Sequence, residues 1–284
     1  VNTFIYGGHR VSYREEGRGV PMIFLHNGGN DHRIWDYQVA CFGTRYRVIA
    51  PDHPGYGMSD KPRIGYSLDF YTDYLGAFIK HLGAKRPVLV GNCIGSAMAL
   101  RYALDNPGRV GALVLFNLAT ENTLRSGIFG PLYKITIGSS RARRVIALFA
   151  KAGCVSRLTR MMGFRVLYGK TGDPDPSFRR HLDLLYSGRD QLPVLYSLLS
   201  NFGNFRGLDS AVKPDGFPPC CVIWGKQNLI LPEKGGARFC ASFGPGDYRV
   251  MEDCGHMVMR EKHEEVNRII SEFLERNGAI HLPG

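Results

Sequence analysis

Residues 87–95 read Pro87-Val88-Leu89-Val90-Gly91-Asn92-Cys93-Ile94-Gly95, and the apolar stretch Ser96-Ala97-Met98-Ala99-Leu100 follows directly. An apolar run of strand length, glycines two residues either side of one nucleophile, and an apolar helical stretch together spell strand, sharp turn and helix. The glycines are what such a turn requires, because its backbone is strained and strand and helix nearly touch. The middle residue, Cys93, is a thiol where this turn most often carries serine. One stretch therefore reports both a fold and a departure in its chemistry.

Working outward, apolar segments of strand length alternate with segments of helical period. Residues 1–17 read as a hairpin turning at Gly7-Gly8, so Val1–Tyr6 is expected as a strand and not as a signal peptide. Pro21–Leu25, Tyr46–Ala50, Gly111–Phe116, Cys220–Trp224 and Tyr248–Met251 read as further strands. Ile34–Phe42, Ser67–Leu82 with Ser67 as N-cap, Ser96–Asp105 and Glu261–Arg276 read as helices. The alternation fails between 118 and 205, where several helices with an apolar face are expected. The predicted architecture is α/β: a doubly wound, mostly parallel sheet. Residues 1–117 and 206–284 form the core, and 118–205 a helical lid inserted into it.

With 284 residues, 44% hydrophobic and 21% charged, the chain can bury a sizeable core. No apolar run is long enough to cross a bilayer. Seven scattered cysteines suggest neither a disulfide framework nor a metal site, and a reduced, cytoplasmic setting suits a catalytic thiol. The net charge of +11 is uneven: residues 122–205 hold thirteen Lys/Arg against four Asp. Such a bias fits either an acidic partner, with Arg141, Arg143 and Arg144 as docking residues, or a solvated basic surface. The basic residues match no nucleic-acid-binding pattern.

Five segments, in this order, resemble the α/β-hydrolase superfamily. They are His26-Asn27-Gly28-Gly29, Asp52-His53-Pro54-Gly55-Tyr56-Gly57-Met58-Ser59, the turn at Cys93, Trp224-Gly225-Lys226-Gln227-Asn228, and Asp253-Cys254-Gly255-His256. The resemblance covers essentially the whole chain and implies a lidded member of that fold. It makes Cys93 the nucleophile and His256 the general base. The backbone N–H groups of Ile94 and Gly28 become the oxyanion hole. Asn27 stands where the family usually has a glycine. His26 fits a structural histidine of that turn.

The third catalytic position departs from the family. Its acid usually follows the strand at Cys220–Trp224, at the position held here by Asn228. In some lidded members it follows the strand after the turn's helix, at Asn117. Both positions carry amides. Asn228 is the first candidate for orienting His256, with Asn117 and Glu121 as alternatives; Asp253 reads as structural. An amide is tolerable if the thiol, acidified by the helix N-terminus, already forms an ion pair with the histidine.

A thiol nucleophile exchanges readily with thioesters. Acyl transfer from a carrier-protein- or coenzyme-A-bound acyl group is therefore the leading expectation, because an acidic acyl carrier would suit the basic lid. Some relatives with a cysteine at this turn shuttle acyl or aminoacyl groups in natural-product assembly. The alternatives are hydrolysis of a small ester, lactone or thioester, a non-catalytic ligand-binding descendant, and a serine hydrolase with an introduced cysteine at 93. Neither a cofactor nor a metal is called for.

Overall fold

Eight strands make one mixed sheet among residues 1–131, 166–187 and 191–278, the parts of the chain described by the computed structural model. In chain order they are β1 Asn2–Tyr6, β2 His9–Glu16, β3 Pro21–Leu25, β4 Arg47–Pro51, β5 Val88–Asn92, β6 Ala112–Phe116, β7 Cys220–Gly225 and β8 Asp247–Met251. Their order across the sheet is β1-β2-β4-β3-β5-β6-β7-β8. β2 runs antiparallel to β1 and β4, and every other pairing is parallel. The order reverses around β3. In such sheets the crevice outside the carboxyl ends of the strands is where ligands bind.

The central strands are apolar throughout because both faces are covered. Along β5, Leu89 joins one core and Val88 and Val90 the other, as a two-residue period demands. On one face lie α2 (Leu68–His81) and α3 (Ile94–Asp105), which bring Leu75, Phe78, Ala97 and Leu100. On the other lie α1 (Asp36–Phe42) and the C-terminal helix, which bring Val39, Phe42, Ile270 and Phe273. Ser67 caps α2, its hydroxyl accepting from Phe70 N at 3.1 Å.

Among the described residues the remaining α-helices are α4 (Glu121–Arg125), α5 (Pro176–Ser187), α6 (Leu192–Ser200), α7 (Arg206–Asp209), α8 (Glu233–Phe243), α9 (Val258–Glu261) and α10 (His263–Arg276). The expected C-terminal helix is broken at Lys262, whose backbone is not helical (φ −131°, ψ 50°). The segment expected as one helix over 34–42 begins as a 3-10 turn, His32–Trp35. Helix α8 was missed because Gly235-Gly236 argues against a helix. A Cβ at Gly236 would run into the Trp224 ring, so close packing on β7 explains that glycine.

α4, α5 and α6 belong to the helical insertion between β6 and β7. It is fastened to the core through Arg260 of α9. The Arg260 guanidinium pairs with Asp173 at 2.6 Å, both side chains being 1% exposed. It also donates to the Arg33 carbonyl at 2.9 Å and sits 3.5 Å from the Phe178 ring centre. Asp31 meets His181 of α5 at 2.8 Å. Arg141, Arg143 and Arg144 lie outside the described residues. No described helix is long and apolar enough to cross a membrane.

Candidate active site

Cys93 sits between β5 and α3 with φ 56° and ψ −110°. A non-glycine residue there stores roughly 1–3 kcal/mol of strain, which persists only where the surroundings enforce it. Here they do. Cys93 N donates to Phe116 O at 3.0 Å, and Cys93 O accepts from Ala97 N at 3.0 Å. A Cβ on Gly91 would strike the Gly95 backbone, and one on Gly95 would strike the Leu25 carbonyl. The two glycines thus let β5, α3 and β3 close around the thiol.

His256 is presented by the loop after β8, and three groups clasp its backbone. Its N–H donates to Leu167 O at 2.7 Å, and its carbonyl accepts from Asn117 Nδ2 at 3.1 Å and Asn92 Nδ2 at 3.3 Å. The neighbouring Gly255 N–H donates to Glu261 at 2.8 Å, while the other Glu261 oxygen accepts from Gly169 N at 2.7 Å. Gly225, Gly255 and Gly169 stack so closely that a Cβ on any one would enter its neighbour's backbone. Insertion residues 167–169 therefore form one wall of the histidine's seat.

Asn228 follows β7 and is the amide that reaches the ring. Its Nδ2 lies 3.0 Å from His256 Nδ1, and its Oδ1 lies 3.3 Å from the same atom. Oδ1 accepts from Ile230 N and Leu231 N, each at 3.0 Å. Turning the amide over would set its NH2 against those two donors, so the orientation is fixed by the loop. Nδ2 then donates to Nδ1, and the neutral imidazole carries its proton on Nε2. This is opposite to the tautomer that a carboxylate would impose on a catalytic histidine.

Asn117 and Glu121 stand elsewhere. Asn117, at φ 44°, ties strand ends together: Nδ2 serves Asn92 Oδ1 and His256 O, and Oδ1 accepts from Gly225 N at 3.1 Å. Glu121 pairs with Arg206 at 2.5 Å and Arg125 at 3.3 Å. Neither contacts the imidazole.

The electrostatics also differ from expectation. Burial pushes the Cys93 thiol up to about 12, against the opposing hydrogen bond from Ile94 N–H. Burial pushes His256 down to about 3. The helix N-terminus therefore does not win against desolvation, and a resting thiolate–imidazolium pair is disfavoured. Among the described residues no hydrogen bond joins Cys93 to the His256 ring.

The turn after β3 is built on stacked histidines. His26 and His53 have ring centres 4.0 Å apart. His26 Nε2 accepts from His53 N at 2.9 Å, so His26 carries its proton on Nδ1, which reaches Asn27 O at 2.8 Å. Burial lowers both pKa values, and both rings are neutral. Among the described residues the Gly28 N–H makes no hydrogen bond. Asp31, His32 and Asp52 place potential metal-ligating atoms within 4.8 Å of one another. Those atoms are engaged within the protein: Asp52 accepts from His32 and Met58, and Asp31 meets His181. Asn92, Glu261 and Leu167 were not identified from sequence; only contacts made in the fold bring them to the histidine.

The sequence profile of the alpha/beta hydrolase family matches residues 22–269, and the chain belongs to that family. It is 30% identical to a 2-hydroxy-6-oxononadienedioate/2-hydroxy-6-oxononatrienedioate hydrolase from Burkholderia vietnamiensis, over 94% of this chain and 91% of that one. It is 27% identical to a dihydrolipoyllysine-residue acetyltransferase component of the acetoin cleaving system from Pseudomonas putida, over 95% of this chain and 68% of that one. An α/β hydrolase fold protein from Burkholderia ambifaria superposes with a TM-score of 0.79 at 19% identity, covering 95% and 97% of the two chains.

Proposed function

We propose that this α/β hydrolase cleaves a small ester, lactone or thioester through a covalent thioester on Cys93. The observation that carries the reading is a thiol held at the strained turn after β5, in a chain whose loop after β8 presents a buried histidine with its ring oriented by Asn228. Cys93 Sγ attacks the acyl carbon while its proton passes to His256. The oxyanion is received by the N–H groups of Ile94 and Gly28. The leaving oxygen or sulfur departs with that proton. Water, deprotonated by His256, then splits the thioester and restores the thiol. To accept a proton at Nε2, the imidazole must first carry its own on Nδ1, donating to Asn228 Oδ1 across the longer 3.3 Å contact. Asn228 thus slows the first step without forbidding it.

Hydrolase-named relatives along most of the chain support hydrolysis over transfer. The test is intact-protein mass spectrometry with p-nitrophenyl acyl esters, comparing wild type and Cys93→Ala. An acyl adduct on Cys93, absent in the variant, is expected. Equal turnover in Cys93→Ala would refute the reading. No adduct and no turnover would leave a ligand-binding descendant.

A second reading is acyl transfer with a carrier-bound or coenzyme A thioester. It is favoured by the acetyltransferase name of one relative and by the basic bias of residues 122–205. If an acidic carrier docks at Arg141, Arg143 and Arg144, kcat/KM for carrier-bound substrate falls with salt while that for a neutral thioester stays level. Equal salt dependence would remove this reading.

A further inference from the structure

A cleft of about 1020 Å³ opens between the C-terminal ends of α2 and α3. Lys80, Lys85, Arg86 and Arg109 line it, all four exposed, and no carboxylate does. Among the described residues none of the four forms an ion pair or a side-chain hydrogen bond. Asp105, at the end of α3, is taken by Arg101 at 2.6 Å. The twelve residues of α3 separate the cleft from Cys93 by about 18 Å, so it is distinct from the site built around the thiol.

The ordinary use of cations at helix C-termini is to serve the last carbonyls, and here those carbonyls are served by other groups. Gly83 N donates to Lys80 O at 3.1 Å and Ala84 N to Ile79 O at 3.2 Å, while Arg47 donates to Leu82 O at 2.9 Å. On α3, Asn106 Nδ2 donates to Tyr102 O at 3.0 Å. Two helix ends together bring about one negative charge, which leaves roughly +3 of the four cations unbalanced. Arg86 also stands at φ 43°, a backbone region where glycine or asparagine sits with less strain. Strain and mutual repulsion are thus both accepted at a place where the fold makes no polar use of the side chains.

The lining sets the chemistry of what would balance the charge. Guanidinium and ammonium groups together suit phosphate oxygens, and several of them suit more than one phosphate. The cleft is far larger than a phosphate, and its floor is apolar. Ile79 and Ala84 contribute to it, and the half-buried Tyr102 ring packs against Gly76, where a Cβ would lie 3.3 Å from the ring. A ring of this kind offers a face on which a planar base can stack.

We propose that this cleft binds a nucleoside di- or triphosphate, its phosphates held by Lys80, Lys85, Arg86 and Arg109 and its base on Tyr102. The site goes beyond the proposed hydrolysis and does not depend on the chemistry at Cys93.

The experiment is calorimetric titration of the whole chain with ATP, with inorganic triphosphate and with hexaglutamate. ATP is expected to bind with a dissociation constant of about 10–100 µM, more weakly as salt is raised. Arg86→Glu and Arg109→Glu should each weaken it at least about tenfold. Arg268→Glu, which makes the same change of charge on the exposed face of α10, should leave it within about twofold. Tyr102→Leu should weaken ATP and leave triphosphate unchanged. Arg86→Gly should lose affinity while its melting temperature holds or rises, because strain is relieved as the ligand contact goes. Absence of ATP binding to the wild type would overturn the proposal. So would an equal loss in Arg268→Glu, which would reduce the effect to overall charge. Triphosphate binding as tightly as ATP would overturn the nucleoside assignment, and tighter binding of hexaglutamate would replace it by an acidic protein segment.

Discussion

Replacing Asn228 by aspartate reverses one hydrogen bond and should turn a slow site into a faster one. In the wild type, the loop N–H groups of Ile230 and Leu231 hold Oδ1, so Nδ2 faces His256 Nδ1 at 3.0 Å. A carboxylate would keep both loop bonds with one oxygen and present the other to Nδ1 as an acceptor. The imidazole proton then moves to Nδ1, and Nε2 becomes free to take the thiol proton. The charge adds a second effect. A carboxylate about 4 Å from the imidazolium, at an effective dielectric constant of about 20, contributes on the order of 4 kcal/mol. That corresponds to about three pKa units.

His256, now held near 3 by burial, should therefore titrate near about 6 in Asn228→Asp. In a serine triad, losing the acid's charge and its correct tautomer costs about four decades of rate. A thiol depends less on its base, so a gain of about ten- to a thousandfold in kcat/KM is expected here. Two measurements check this. Rates with p-nitrophenyl acetate across pH should show the acid limb near pH 3 in the wild type and near pH 6 in the variant. Nitrogen-15 spectra of His256 should place the neutral proton on Nε2 in the wild type and on Nδ1 in Asn228→Asp. A wild-type proton on Nδ1, or a variant no faster than the wild type, would refute the reasoning.

Other perturbations follow from the same contacts. Gly95→Ala should destabilise the protein by at least about 3 kcal/mol in urea unfolding, because the added methyl would meet the Leu25 carbonyl where neither backbone can move. Asp173→Ala should cost on the order of 3 kcal/mol, since it leaves the buried Arg260 charge with only the more distant Asp175 carboxylate at 3.7 Å; thermal melting with an Arg260→Met, Asp173→Leu double variant as control reads it. Burial raises Glu261 from 4.5 to about 7 despite the N–H groups that favour its charge. Because the folded pKa lies above the unfolded one, the protonated form is favoured on folding. The contribution is complete below pH 4.5 and lost by about pH 7. Relative to Glu261→Gln, the wild type should lose about 3 kcal/mol of stability between pH 4.5 and pH 8 in pH-resolved chemical denaturation.

The fold was legible because its signals are local. β5, the turn and α3 are contiguous, and the two glycines in that stretch announce the close approach before any contact is known. The residues that seat His256 were legible only in part. Asn228 could be found because it stands a fixed number of residues past β7. Glu261 and Leu167 could not, because they reach the histidine loop from elements whose placement depends on the whole fold. What no reading of residue types could supply is the direction of the bond between Asn228 and His256. An amide has a donor end and an acceptor end, and the choice is made by two backbone N–H groups, at Ile230 and Leu231, that carry no sequence signature. The expected thiolate–imidazolium pair is disfavoured at rest for a related reason. A helix N-terminus is visible in a sequence, but the desolvation that overrides it at Cys93 and His256 arises only when strand, turn and loop close around them. A carboxylate at 228 would have made the direction of that bond irrelevant, since both its ends accept. The amide makes it decisive, and the rate of this site should therefore depend on which end of one side chain faces the ring.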